Sequence, residues 1–193
     1  MIADIFFDST CCVCGRLGRL LCSSCLAVIS SLSPVTRTIG QVDVHAVGWY
    51  RGELRTVIRQ AKNFRARAVL INLSPTIRRL LDFSRPVPVI PIPPSRPGKV
   101  RRGYGLARPI AMAIGWPICD VLVIRDPGSQ RGRGAEQRTQ DRRFTIRGRV
   151  PSRAILVDDV VTTGATVSAA IAALADAGCR VVGVFALALV PPR

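Results

Sequence analysis

The chain has 193 residues, 48% of them apolar, with 28 Lys+Arg against 12 Asp+Glu and a formal charge of +16. That apolar content excludes a disordered chain, and a fold of this size buries roughly 70% of its extended-chain surface, so it needs no disulfide framework. The longest apolar stretch, Val181–Val190, falls short of the ~18–20 residues of a membrane span and has the length of a buried strand.

At the N-terminus, Asp4 and Asp8 without a leading basic cluster do not read as a signal peptide, and the expected location is the cytoplasm. Residues 1–33 hold five of the seven cysteines and are expected to form a separate small segment, with one larger domain over 34–193. Cys11-x2-Cys14-x7-Cys22-x2-Cys25 is two CxxC pairs joined by a short loop. Each pair offers two thiolates, and together they suit one tetrahedral structural Zn²⁺. Disulfides are disfavoured in a cytosolic chain. Cys12 is out of register with the pairs and is expected to be a bystander, while Cys119 and Cys179 read as buried thiols.

Further along, Leu54, Val57, Ile58 and Ala61 fall at i, i+3, i+4 and i+7 and predict an amphipathic helix. A second helix is predicted over Ser74–Leu81, with Ser74 as N-cap and Pro75 at the tolerated first position. Val87, Val89, Ile90 and Ile92 predict a short strand, and the prolines around them place it at a sheet edge or a strand end. Leu106–Ile114 reads as helical, with Pro109 marking a start or kink. Residues 126–153 are polar and rich in Arg, Gly and Gln. The all-apolar run Ala154–Val157 then predicts a strand covered on both faces. Val167, Ala170, Ile171 and Leu174 describe a helix face, Gly178 a stop and Val181–Val190 a second strand. Strand, helix, strand with short connections is a βαβ unit, so the fold class is α/β with a parallel sheet.

The segment Asp158-Asp159-Val160-Val161-Thr162-Thr163-Gly164-Ala165-Thr166 carries the most chemistry. A strand brings two adjacent carboxylates to its C-terminal end, where α/β folds bind ligands. A hydroxyl-rich turn follows and a helix opens, so successive N–H groups can cradle an anion. Carboxylates repel phosphate but accept hydrogen bonds from a diol. The expected ligand is therefore a sugar phosphate, with its hydroxyls at the acids and its phosphate at the turn.

This stretch resembles the phosphoribosyl pyrophosphate signature of type I phosphoribosyltransferases. Over nearly the whole chain the sequence is similar to the ComF family, competence-associated proteins with a phosphoribosyltransferase-like domain. The four-Cys N-terminus carries that resemblance, as do Tyr50-Arg51-Gly52-Glu53-Leu54-Arg55 leading to Lys62, Val89-Ile90-Pro91-Ile92-Pro93-Pro94-Ser95-Arg96, and Arg102-Gly103-Tyr104. Gln130 and Arg138 fall where relatives carry a Gln and an Arg in a flexible catalytic loop. The chain departs from the family after Tyr104, with Gly105 and Leu106 in place of Asn-Gln, and at Gly132-Arg133-Gly134, where Gly-Leu-Ser is usual.

The resemblance implies phosphoribosyl pyrophosphate as donor, with Mg²⁺ bridging the pyrophosphate and the ribose hydroxyls, and a nitrogen nucleophile as acceptor. It assigns catalytic roles to Asp158, Asp159 and Arg138, and ligand contacts to Asp158 through Thr166 together with Ser95, Arg96 and Arg102. It further implies a DNA-uptake or helicase-type protein partner. The arginines between 131 and 143 read either as a mobile lid or as plain disorder, and Arg101 and Arg102 either as pyrophosphate ligands or as a solvated face. His45, the single histidine, reads as structural.

The charge excess favours polyanions and predicts salt-sensitive, sequence-indifferent contact with nucleic acid. At 5%, aromatics are too sparse for a base-stacking platform. Two functions are open: a phosphoribosyltransferase, and a non-catalytic module of the same fold that binds phosphoribosyl pyrophosphate, a nucleotide or single-stranded DNA. A zinc-ribbon nucleic-acid binder leaves the Asp158–Thr166 segment unexplained.

Overall fold

The computed structural model describes residues 10–63, 66–81, 85–94, 105–124 and 144–192. In chain order the elements are α1 (Ser23–Ser30), β1 (Val35–Ile39), β2 (Val42–Trp49), α2 (Gly52–Asn63), α3 (Ala66–Arg79) and β3 (Val89–Pro91). Then follow α4 (Ala107–Ile114), β4 (Leu122–Ile124), β5 (Phe144–Ile146), β6 (Arg153–Val161), α5 (Ala165–Asp176) and β7 (Arg180–Leu189). Five strands form one sheet in the order β1-β2-β7-β6-β3. The pairings β2·β7, β7·β6 and β6·β3 are parallel, and only the β1–β2 hairpin is antiparallel. A separate antiparallel pair joins β4 and β5.

Alternation along the two central strands explains the layering. Ile155, Val157, Phe185 and Leu187 belong to a core shared with α2, α3, α4 and the cysteine segment. Ala154, Leu156, Val184 and Ala186 belong to a second core shared with α5 and the β4–β5 pair. A strand sends successive side chains to opposite faces. Covering both faces therefore demands the near-continuous apolar runs that β6 and β7 carry. Cys11, Leu21, Cys22, Cys25 and Ile29 all pack into the first core, beside the helices on that face.

The predicted helix around Leu54 is α2, and its four periodic residues are 0–3% exposed. The predicted helix over Ser74–Leu81 is corrected. It is the last part of α3, which begins at Ala66 and carries Pro75 in its interior. Proline lacks the N–H that would bond the carbonyl four residues back, that of Ile71. The Ser74 hydroxyl donates to that same carbonyl at 2.8 Å. Ser74 thus repairs the gap its neighbour opens, and it is not a cap. The β6 strand is also longer than the run Ala154–Val157, continuing through both acids to Val161.

The strand at Val89 lies at the sheet edge, as its prolines required. The helix after Leu106 starts at Ala107 and holds Pro109 in its first turn. At the end of α5, the Cys179 N–H bonds Leu174 O and the Gly178 N–H bonds Ala175 O, each at 2.9 Å. With Gly178 at φ +81° this is a Schellman stop, and it leads the chain directly into β7.

Candidate functional site

Asp158 and Asp159 sit near the end of β6, both part-buried. Each carboxylate is aligned along its own backbone. The Asp159 N–H donates to Asp158 Oδ1 at 2.8 Å, and the Val160 N–H to Asp159 Oδ1 at 2.7 Å. The remaining Asp159 oxygen, Oδ2, meets Lys62 Nζ at 2.7 Å. Lys62 lies in the last turn of α2, where a helix favours a cation. The Lys62 contact sets Asp159 toward α2. Lone pairs remain on an ionised carboxylate after two such bonds, so Asp159 keeps capacity to accept hydroxyl donors.

The turn after β6 runs Thr162, Thr163, Gly164, and α5 opens at Ala165. Thr162 and Thr163 are exposed, and Thr163 Oγ1 accepts the Ala165 N–H at 3.4 Å. Gly164 stands at φ +86°, in the left-handed region, and its carbonyl starts the helix by accepting the Ser168 N–H at 2.8 Å. The left-handed backbone favours glycine, and a β-carbon there would lie 2.5 Å from Ile39 Cδ1, so that side chain would have to shift. Val160 and Val161 pack into the first and second core, which anchors the strand end on both faces. The result is a strand end carrying two oriented carboxylates, followed by a close-packed turn and a helix N-terminus. Such an arrangement can hold hydroxyls on one side and an anion on the other.

Ser95, Arg96, Arg102 and Arg138 lie outside the described residues, as do Gln130 and the arginines between 131 and 143. The flanks of one of these stretches are described. Pro94 and Gly105 are in contact, and a β-carbon on Gly105 would lie 2.9 Å from Pro94 Cβ. The family's asparagine could not occupy this position without moving Pro94. β3 leads to the same region, since the Ile92 N–H bonds Val157 O at 2.8 Å, one residue before Asp158.

The second cluster is made by Cys11, Cys14, Cys22 and Cys25, whose sulfurs all lie within 4.8 Å of one another. Cys14 and Cys22 sulfurs are 3.7 Å apart. A tetrahedral ion with metal–sulfur bonds of ~2.3 Å has an edge of ~3.8 Å, so the spacing fits. Burial pushes the Cys11 thiol up, but N–H donors of Cys22, Cys14 and Val13 outweigh it and bring it down to about 6. The Cys25 N–H is the main influence on Cys22, which is lowered too. Cys25 is raised by burial and by its sulfur neighbours. Four thiolates this close need a cation, and a bound metal deprotonates its thiols outright. The cluster can hold one metal ion, and its donor set is that of a structural zinc site. Cys12 is not among the four; burial raises its thiol.

Residues 99–192 match the family model described as the phosphoribosyl transferase domain. Over this stretch the chain is phosphoribosyltransferase-like. The match spans α4 to β7 and includes both acids and the turn, whereas the cysteine cluster, α2 and β1–β3 lie before it. No curated protein matches the chain. Among the described residues no helix is long and apolar enough to cross a membrane.

Sequence reasoning did not find three contributors to this site. Ile39 and Arg37, whose guanidinium donates to the Thr162 carbonyl, come from β1, an element without an amphipathic signature of its own. The third is the role of Lys62, noted only within a motif. One signal pointed to it: all but Lys62 and Lys99 of the 28 cations are arginine. Here the ammonium meets a single carboxylate oxygen as a point charge, Asp159 Oδ2.

Proposed function

We propose that the protein binds phosphoribosyl pyrophosphate and transfers its phosphoribosyl group to a nitrogen acceptor. The observation that carries this is the join of β6 to α5. Two oriented acids precede a turn through a left-handed glycine packed against Ile39, within a stretch matching the phosphoribosyl transferase domain. In this reading Asp158 and Asp159 accept the ribose hydroxyls, and the N–H groups and hydroxyls of Thr162–Thr166 receive the 5′-phosphate. Lys62 fixes the orientation of Asp159 and offsets its charge beside an anionic ligand.

Among the described residues the four cysteines are the only group of three or more metal-ligating side chains. Two neighbouring acids are too few for an all-protein Mg²⁺ cage, so Mg²⁺ would enter on the pyrophosphate. Bound there, it would neutralise the departing pyrophosphate. The protein's own tasks are then to position the ribose and to place cations on the leaving group. Ser95, Arg96, Arg102 and Arg138 are proposed for the second task, from the resemblance to the ComF family. The same resemblance supports a zinc ion in the cysteine cluster and a link to DNA uptake, and the concentration of cysteines in residues 1–33 supports the division at residues 33/34. The charge of +16 supports non-specific contact with nucleic acid.

The test is pyrophosphate release from phosphoribosyl pyrophosphate and Mg²⁺ across a panel of bases and amines. Release dependent on one acceptor class supports the transferase. Tight binding with no release under any acceptor leaves a non-catalytic binding module, and absence of binding at millimolar ligand overturns the reading.

A further inference from the structure

The turn after β6 is held by a strand that the proposed chemistry does not use. Arg37, on β1, donates from Nη1 to the Thr162 carbonyl oxygen and from Nη2 to the Val190 carbonyl oxygen, both at 2.6 Å. The Val190 N–H donates in turn to Val161 O at 3.0 Å. One guanidinium therefore ties the end of β6 to the end of β7. Two residues further along β1, Ile39 packs against Gly164 and closes the same turn from the side. The planar fork of arginine can span two acceptors at once, which a lysine ammonium on its flexible stem does far less rigidly.

The consequence follows from peptide geometry. The described residues contain no cis peptide bond, and in a trans unit the C=O and the following N–H point in opposite directions. Anchoring the Thr162 carbonyl on Arg37 therefore aims the Thr163 N–H away from the guanidinium. An anion cradle depends on donors that are oriented before the ligand arrives.

We propose that Arg37 is a positioning residue: by gripping the Thr162 and Val190 carbonyls it presents the Thr163 N–H to the 5′-phosphate, without touching the ligand itself. This rests on the sugar-phosphate reading of the site. It assigns to the β1–β2 hairpin, which precedes the matched domain stretch, a part in ligand affinity.

The test compares wild type, Arg37→Ala and Arg37→Lys by calorimetric titration with ribose 5-phosphate, well below each protein's unfolding temperature. Both variants should bind about tenfold more weakly than wild type, as expected for loss of hydrogen bonds from a charged donor. In parallel, the backbone order parameter of Thr163 in unliganded protein should fall from about 0.85 towards 0.6 in both variants. Wild-type affinity in both variants, with only a lower unfolding temperature, would make Arg37 merely structural and overturn the inference. If Arg37→Lys kept full affinity while Arg37→Ala lost it, charge alone would be responsible, and the inference would again fall. Absence of binding by the wild type is a different result: it removes the sugar-phosphate reading, and this inference with it.

Discussion

Lys62 Nζ lies 2.7 Å from Asp159 Oδ2, with the two side chains 22% and 18% exposed. An ion pair this far withdrawn from water pays a desolvation cost that offsets much of its attraction, so it is weak evidence for stability. Its value lies in fixing where the carboxylate points. Lys62→Met should cost ~1–3 kcal/mol in urea unfolding, because it leaves a part-buried carboxylate without its partner, and should weaken ligand binding severalfold. A double-mutant cycle with Asp159→Asn checks this; a coupling of several kcal/mol in stability would show a structural bridge instead.

The two acids are expected to act on the ligand's hydroxyls. Asp158→Asn/Asp159→Asn should lower affinity for phosphoribosyl pyrophosphate with Mg²⁺ at least tenfold, at ~1–3 kcal/mol for each hydroxyl left without its acceptor. Thr163→Ala should cost less, because backbone N–H groups still face the phosphate. Calorimetric titration measures both, and equal affinity in wild type and the double variant would remove the acids from the site.

Gly164 and Ile39 make a packing pair with a clear genetic signature. Gly164→Ala should destabilise the protein by ~1–2 kcal/mol for the left-handed backbone, plus ~1–3 kcal/mol for overpacking against Ile39. Ile39→Val removes the methyl that a new β-carbon would strike. Alone it should cost ~0.5–1.5 kcal/mol, yet in the Gly164→Ala background it should recover part of the lost stability, the left-handed cost remaining. Thermal or urea unfolding of the four proteins shows whether the sign reverses.

The cysteine cluster should bind one equivalent of zinc when the protein is purified without chelator. Cys22→Ser should lower that content and Cys12→Ser should leave it unchanged, as measured by elemental analysis. Since Cys11, Cys22 and Cys25 pack into the core beneath α2 and α3, removing the metal should also lower the unfolding temperature. Well under one equivalent in wild type would count against zinc.

The parts of the fold legible in the sequence are those set by local periodicity. The faces of α2 and α5, the Schellman glycine at 178 and the doubly covered strands each follow from a repeat or a special backbone position. The cluster of four cysteines is legible for a similar reason, because CxxC spacing alone brings each pair together. The start of α3 was not legible: a proline at 75 normally marks a first turn, and the side-chain bond from Ser74 that admits it inside a helix has no sequence signature.

Within the site, the acids and the turn were legible because they are contiguous. What sequence could not supply was the surroundings. Arg37 and Thr162 are far apart in the chain, and only the β1–β2–β7–β6 order brings them together. The same holds for Lys62, whose partner depends on which face of β6 carries Asp159. Gly105 is the reverse case. It reads as a departure from a family pattern, and the contact with Pro94 shows a steric reason for it.

That contact has an evolutionary consequence. Because Gly105 stands against Pro94, a side chain at 105 and the ring at 94 would compete for one space. Neighbours in direct contact are not independent, so positions 94 and 105 are expected to change as a pair in related chains, while the junction of β6 and α5 stays fixed.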